Sequence, residues 1–262
     1  MAPPIAKSSS DDILDRLNEI LRSGQTPTEL ELARYKKEAR KLLSTQPLNG
    51  NIMLGALACL ECDVDKMNKY HLAALAIDPN NFSALRNYAA SLANIGNYPE
   101  SLKYTVRAYK SRPGSPELLS RAVSVSVYAG HIREALDWLE QWQRENPDEE
   151  HEAAELVRDL AAFAKELAIS DSQMESVIKT GIQTINEYGI YSHGVSLRLV
   201  EDDESEWLSY VINVERDVDE VVNLNIELAE RIAAAIQDEP ISGFVLRYTT
   251  RRREAVDATS CA

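Results

Sequence analysis

Cys59 and Cys62 form a Cys-x-x-Cys pair, the spacing used by zinc sites and redox motifs. A zinc site needs two more ligands nearby, and the sequence offers no second pair. The simpler reading packs Cys59 in a helix and lets Cys62 fill a turn. The four histidines, His71, His131, His151 and His193, are scattered, and none stands in an HExxH or similar pattern. GxSxG, P-loop and GxGxxG sequences are lacking. Glu201, Asp202, Asp203, Glu204 and Glu206 place five carboxylates within six residues, a set of oxygens that a hard divalent ion would accept. The run lacks the Asx spacing and turn glycine of an EF-hand loop, so it reads as a solvated hairpin tip; its other use would be to steer a basic partner. Arg251, Arg252 and Arg253 offer an anion or acidic-peptide contact, or a soluble end to a strand. No catalytic residue, metal ligand or cofactor site is expected from these groups.

The elements that would position them follow a fixed period. Pro79, Pro113 and Pro147 lie 34 residues apart, and Gly96 and Gly130 keep the same spacing. Within each period an apolar helix ends at a tight turn, a second helix follows, and a proline stops it. Glycine suits the turn because it accepts positive φ, and proline lacks the N–H that a continuing helix needs. A period of this length marks stacked helical hairpins.

These residues resemble the tetratricopeptide repeat (TPR) family, whose pattern is W-x₂-L-G-x₂-Y…A-x₃-F…P. Leu54-Gly55, Ala74 and Asp78-Pro79 match in the first unit. Leu85, Tyr88-Ala89, Leu92, Gly96-Asn97-Tyr98, Ser101, Ala108 and Pro113 match in the second. Leu119, Gly130, Glu134-Ala135, Leu139 and Pro147 match in the third. Cys62 stands at the first turn glycine, Ser126 at a large aromatic position and Trp142 at a small one. The resemblance covers roughly 40% of the chain and implies an architecture, with repeats at about 48–81, 82–115 and 116–149, more than a ligand.

At 262 residues the chain suits one solenoid and one small domain. It has no apolar run long enough for a membrane span and no apolar signal core at its start, and its three cysteines fit a reducing compartment, so a cytoplasmic protein is expected. The net charge of −14 is uneven. Residues 48–149 carry ten basic and twelve acidic side chains, whereas residues 171–262 carry eight basic and eighteen acidic. Nucleic-acid binding draws on Lys and Arg and is disfavoured for the acidic part.

The expected fold is an α-helical solenoid of three TPR-like hairpins with flanking helices, followed by a small α+β domain. Residues 1–10 read as a disordered tail and 11–47 as two N-terminal helices, a cap or a degenerate repeat. The second of these starts at a capping box formed by Thr28 and Glu31. Residues 48–149 form the repeats, and 150–169 a capping helix. Residues 171–250 read as αββαβ, with Ser170 or Asp171 as the first N-cap, strands near 194–200, 207–214 and 243–249, and a helix over 217–236. The switch to alternation at Gly194 predicts a unit separate from the solenoid core. Its element order is similar to a ferredoxin-like unit without its first strand, with helices on one face. Residues 251–262 read as a tail.

In the TPR family the first helix of each repeat lines the concave groove. That resemblance points Asn49, Ile52, Ala56, Cys59, Ser83, Arg86, Ala90, Ala93, Glu117, Ser120, Ser124 and Val127 into the groove. The carboxylate clamp of chaperone-docking members is missing from the matching positions, and the lining suits a peptide segment with small apolar anchors. The expected function is a non-enzymatic adaptor that binds a protein or peptide partner in this groove, with homo-oligomerisation through the C-terminal domain as a further option. A client-specific chaperone or toxin-neutralising partner is the alternative reading. An enzyme with its chemistry in the C-terminal domain is the third, and would require a cleft of convergent polar groups.

Overall fold

The computed structural model describes residues 13, 16–17, 19–20, 27–192, 194–202, 205–236 and 241–250. The expected tails at 1–10 and 251–262, with Arg251–Arg253 and Cys261, lie outside them. The described chain is mostly helical, with one three-stranded sheet. None of its helices is long and apolar enough to cross a membrane.

Helix α1 (Glu29–Thr45) begins at the Thr28/Glu31 capping box. Three hairpins follow: α2 (Pro47–Leu60) with α3 (Val64–Ile77), α4 (Phe82–Asn94) with α5 (Tyr98–Ser111), and α6 (Pro116–Tyr128) with α7 (Ile132–Glu145). Their turns at Cys62, Gly96 and Gly130 share a left-handed backbone, with φ of 56°, 79° and 79°. Each turn also closes with the same two hydrogen bonds. Asp63, Asn97 and His131 donate their N–H to Ala58, Leu92 and Ser126 at 2.9 Å, and the left-handed residue itself bonds to a carbonyl three back. This is the Schellman end of a helix, and at the first turn it is built on a cysteine where the other two use glycine.

Helix α8 (Ala154–Glu166) packs on α7. Helix α9 (Asp171–Glu187) starts at a capping box made by Ser170 and Gln173. Strands β1 (Val195–Glu201) and β2 (Glu206–Val214) form an antiparallel hairpin, α10 (Val218–Ala235) crosses over, and β3 (Phe244–Thr250) returns. The sheet order is β1-β2-β3, and β3 lies parallel to β2 in direct contact, with Tyr210 opposite Leu246. In a ferredoxin-like unit the strand between these two is the first one, which the described residues lack, so the order is that of the expected unit without its first strand. A parallel pair needs a crossover, and α10 supplies it. The helices lie on one face, as expected. Leu208, Tyr210, Ile212, Leu246 and Tyr248 point into the core, and Gly181 of α9 sits against Leu246.

The expected separation of the sheet from the helical core does not hold. One hydrophobic core runs from Val123 and Val127 of α6 through Leu139, Leu160 and Ile178 to Tyr210 and Tyr248. Tyr210 reaches across it and donates its hydroxyl to the Tyr128 carbonyl at 2.8 Å. A second core holds Leu17, Ile20, residues of α1 to α5, Leu118 and Leu119 of α6, and Trp142.

Candidate functional site

The structure divides the predicted groove residues into two sets. On α4 and α6, Arg86, Ala90, Ala93, Ser120 and Ser124 are half-buried, and Ser83 and Glu117 are exposed. On α2, Ile52, Ala56 and Cys59 are buried, with Ile52 at 0% exposure. These three are core residues and do not line an open wall. The cause is the composition of α2: residues 52–60 contain no polar side chain, and a helix that is apolar all round is covered all round. Here α1, α3, α4, Leu17 and Ile20 cover it. Val127 is also buried, because it belongs to the core shared with the sheet. Asn49, at the start of α2, is half-buried and donates to Gln46 Oε1 at 2.9 Å.

The remaining wall carries short side chains held by specific bonds. Arg86 Nη2 meets Glu117 Oε1 at 2.8 Å, which ties α4 to α6 across the surface. Ser124 donates to the Ser120 carbonyl at 3.2 Å. Ser120 Oγ lies 2.8 Å from His151 Nε2. His151 Nδ1 accepts the Ala153 N–H at 3.1 Å, so the neutral ring carries its proton on Nε2 and donates it to Ser120. Burial holds the His151 pKa below its usual value and so favours the neutral ring. Trp142 stands edge-on to the ring, with centroids 5.0 Å apart. Sequence reading saw His151 only as one of four scattered histidines. Its tie to Ser120 joins residues 31 apart and has no local signature.

The row of turns is also occupied. A Cβ on Gly96 would lie 2.4 Å from Ser192 Cβ, and one on Gly130 would lie 2.8 Å from Ile178 Cδ1 and 2.9 Å from Met174 Cβ. Tyr191 and Glu215 lie near enough to Cys62 to interact with it electrostatically. Helix α9 and the segment after it therefore follow the turns from the third hairpin to the first. At the third turn this docking replaces a cap. Asp63 and Asn97 cap α3 and α5 with their own side chains, but His131 makes no such bond to α7. Asp171 of α9 accepts instead from the N–H groups of Arg133 (3.2 Å) and Glu134 (3.4 Å). His131 turns between Glu134 (3.0 Å) and Glu175 (3.2 Å). The hydrogen bond to Glu134, and then the charge of Glu175, hold its pKa above the usual value.

Cys59 donates its thiol to the Ser91 carbonyl at 3.5 Å, and burial pushes its pKa up to about 12. Cys62 is exposed in the turn. Among the described residues no group of three or more His, Cys, Asp or Glu side chains is arranged to hold a metal ion. In the acidic hairpin, Asp202 Oδ1 accepts from the N–H (2.8 Å) and hydroxyl (3.2 Å) of Ser205.

No family model matches the chain, and no curated relative matches it. Among solved structures, a mutant O-GlcNAc transferase of Thermobaculum terrenum is similar over 53% of this chain at 16% identity, with a TM-score of 0.39. The match spans 27% of the transferase, so this chain corresponds to about a quarter of that protein's length.

Proposed function

We propose that this chain is a non-enzymatic, TPR-type adaptor of the cytoplasm that holds a peptide segment of a partner protein against α4 and α6. The observation that carries this reading is the half-buried row of Ala90, Ala93, Ser120 and Ser124, bordered by the Arg86–Glu117 pair. Small side chains at repeating positions leave room for a ligand's own apolar anchors, and the ion pair gives one end of the row a polar register mark. The 34-residue recurrence of turns and helix starts supports the family reading. His71, His131 and His151 are each engaged by structural partners, which favours binding over catalysis. The segment that fits is narrower than a three-repeat groove would take, because α2 offers only Asn49.

Affinity isolation of the intact chain from its host, followed by mass spectrometry, identifies the partner, and Ala90→Trp tests the surface. The variant is expected to lose partner capture while its circular dichroism and melting temperature stay close to those of the parent chain. A folded Ala90→Trp protein that retains every partner would overturn the reading.

A further inference from the structure

The two edges of the sheet are finished differently. On β3, the Leu208 N–H bonds to the Gly243 carbonyl at 2.7 Å, so alternate residues from 243 pair with β2, and Phe244, Leu246, Tyr248 and Thr250 turn their backbone groups outward. Asn225 of α10 blocks that edge. Its carboxamide accepts from the Tyr248 N–H at 2.8 Å and donates to the Tyr248 carbonyl at 3.1 Å, as a neighbouring peptide group would.

Among the described residues no such plug covers β1. The bonds from Asn213 N–H to Gly194 O and from Asp202 N–H to Ser205 O, both 2.9 Å, fix the even-numbered residues of β1 as those paired with β2. Val195, Leu197, Leu199 and Glu201 therefore present their N–H and C=O groups to the outside, and no described residue pairs with them. The strand keeps seven consecutive pairs without a bulge, contains no proline, and has no inward charge before Glu201. Natural edge strands generally carry such protections or charged side chains unless they pair, and the charges on β1 are Arg198 and the terminal Glu201.

We propose that the β1 edge pairs with β1 of a second copy of this chain, antiparallel about a two-fold axis, to give a continuous six-stranded sheet. A two-fold interface is self-complementary, and an antiparallel strand pair meets that condition with one strand. Val195 and Leu199, half-buried against the core on the inner face, would be covered. Arg198 decides the register. It is exposed, and among the described residues it has no ion pair. A pairing centred on Arg198 would set two guanidinium groups face to face, which is unfavourable. A pairing centred on Leu199 sets Arg198 opposite Val200, with Arg198 and Asp202 of the other copy as its two diagonal neighbours, and so avoids the direct contact of the two guanidinium groups.

Sedimentation and backbone amide exchange on the full chain test this. The chain is expected to sediment at twice its own mass, with slow exchange at Val195, Leu197, Leu199 and Glu201 as well as at the even-numbered residues. Leu199→Pro removes an N–H that β2 does not use, so it is expected to give a folded monomer. Should that variant fail to fold, Arg198→Glu, at an exposed position, is expected to weaken the dimer about tenfold. The proposal is overturned by a monomeric parent chain at every concentration, by fast exchange confined to the odd-numbered residues, or by a folded Leu199→Pro or Arg198→Glu dimer of unchanged affinity.

Discussion

Gly96 and Ser192 lie so close that a Cβ on the glycine would sit 2.4 Å from the serine Cβ. The second hairpin turn is thus the seat of the segment that leads from α9 into the sheet. Gly96→Ala has two costs, the left-handed backbone at φ 79° and the displacement of Ser192. Gly114, at φ 78°, has nothing within 4 Å of the equivalent position, so Gly114→Ala has only the first, about 1–2 kcal/mol. Chemical denaturation of both variants is expected to show Gly96→Ala as the more destabilised. Equal losses would mean that the Ser192 contact contributes nothing.

Cys62 adopts φ 56° at the turn where the other hairpins use glycine. A side chain there costs about 1–2 kcal/mol relative to glycine, offset by about 0.5–1 kcal/mol of unfolded-chain entropy. Cys62→Gly is therefore expected to raise stability by roughly 0.5–1 kcal/mol. Ala168, at φ 53° beyond α8, should respond in the same direction. A lower urea midpoint for Cys62→Gly would show that the thiol side chain makes a contact worth more than the strain.

Burial pushes the His71 pKa down to about 3, and its Nε2 lies 2.9 Å from Ser91 Oγ. In the unfolded chain the ring titrates near 6.5. The unfolded state thus binds the extra proton first, and stability falls as pH drops below about 6.5, until the folded ring itself titrates. Between pH 7 and pH 5 this one residue is expected to remove about 2 kcal/mol. Denaturation of the parent chain and of His71→Gln at both pH values should show a smaller difference in the variant. His131 works in the opposite direction, since its raised pKa adds stability at low pH that is lost as pH rises through the folded value.

Asp171 supplies the cap that His131 does not give to α7. Asp171→Ala is expected to cost about 1 kcal/mol, the ordinary value of a lost N-cap, with faster amide exchange at Arg133 and Glu134. Unchanged exchange at those two amides would show that water replaces the carboxylate without loss.

The sequence by itself determined everything that depends on neighbours along the chain. The 34-residue spacing placed the turns at Gly96 and Gly130 and put Cys62 at the first one. Thr28 with Glu31, and Ser170, marked helix starts that the structure keeps. Alternation marked the three strands to within one residue. Periodicity reports which side chains must leave water, but not what will cover them. Only the tertiary structure decided that α2 is enclosed, that Ile52, Ala56 and Val127 are core residues, and that the open wall belongs to α4 and α6. The run of apolar residues from 52 to 60 carried that signal for α2, whereas Val127 is buried in a core shared with strands that follow it by about seventy residues or more. The direct β2–β3 pairing, the Asn225 plug and the seat of Ser192 on Gly96 are likewise contacts between residues far apart in the chain. Such contacts are selected by the shape and polarity of surfaces that exist only once both segments have folded.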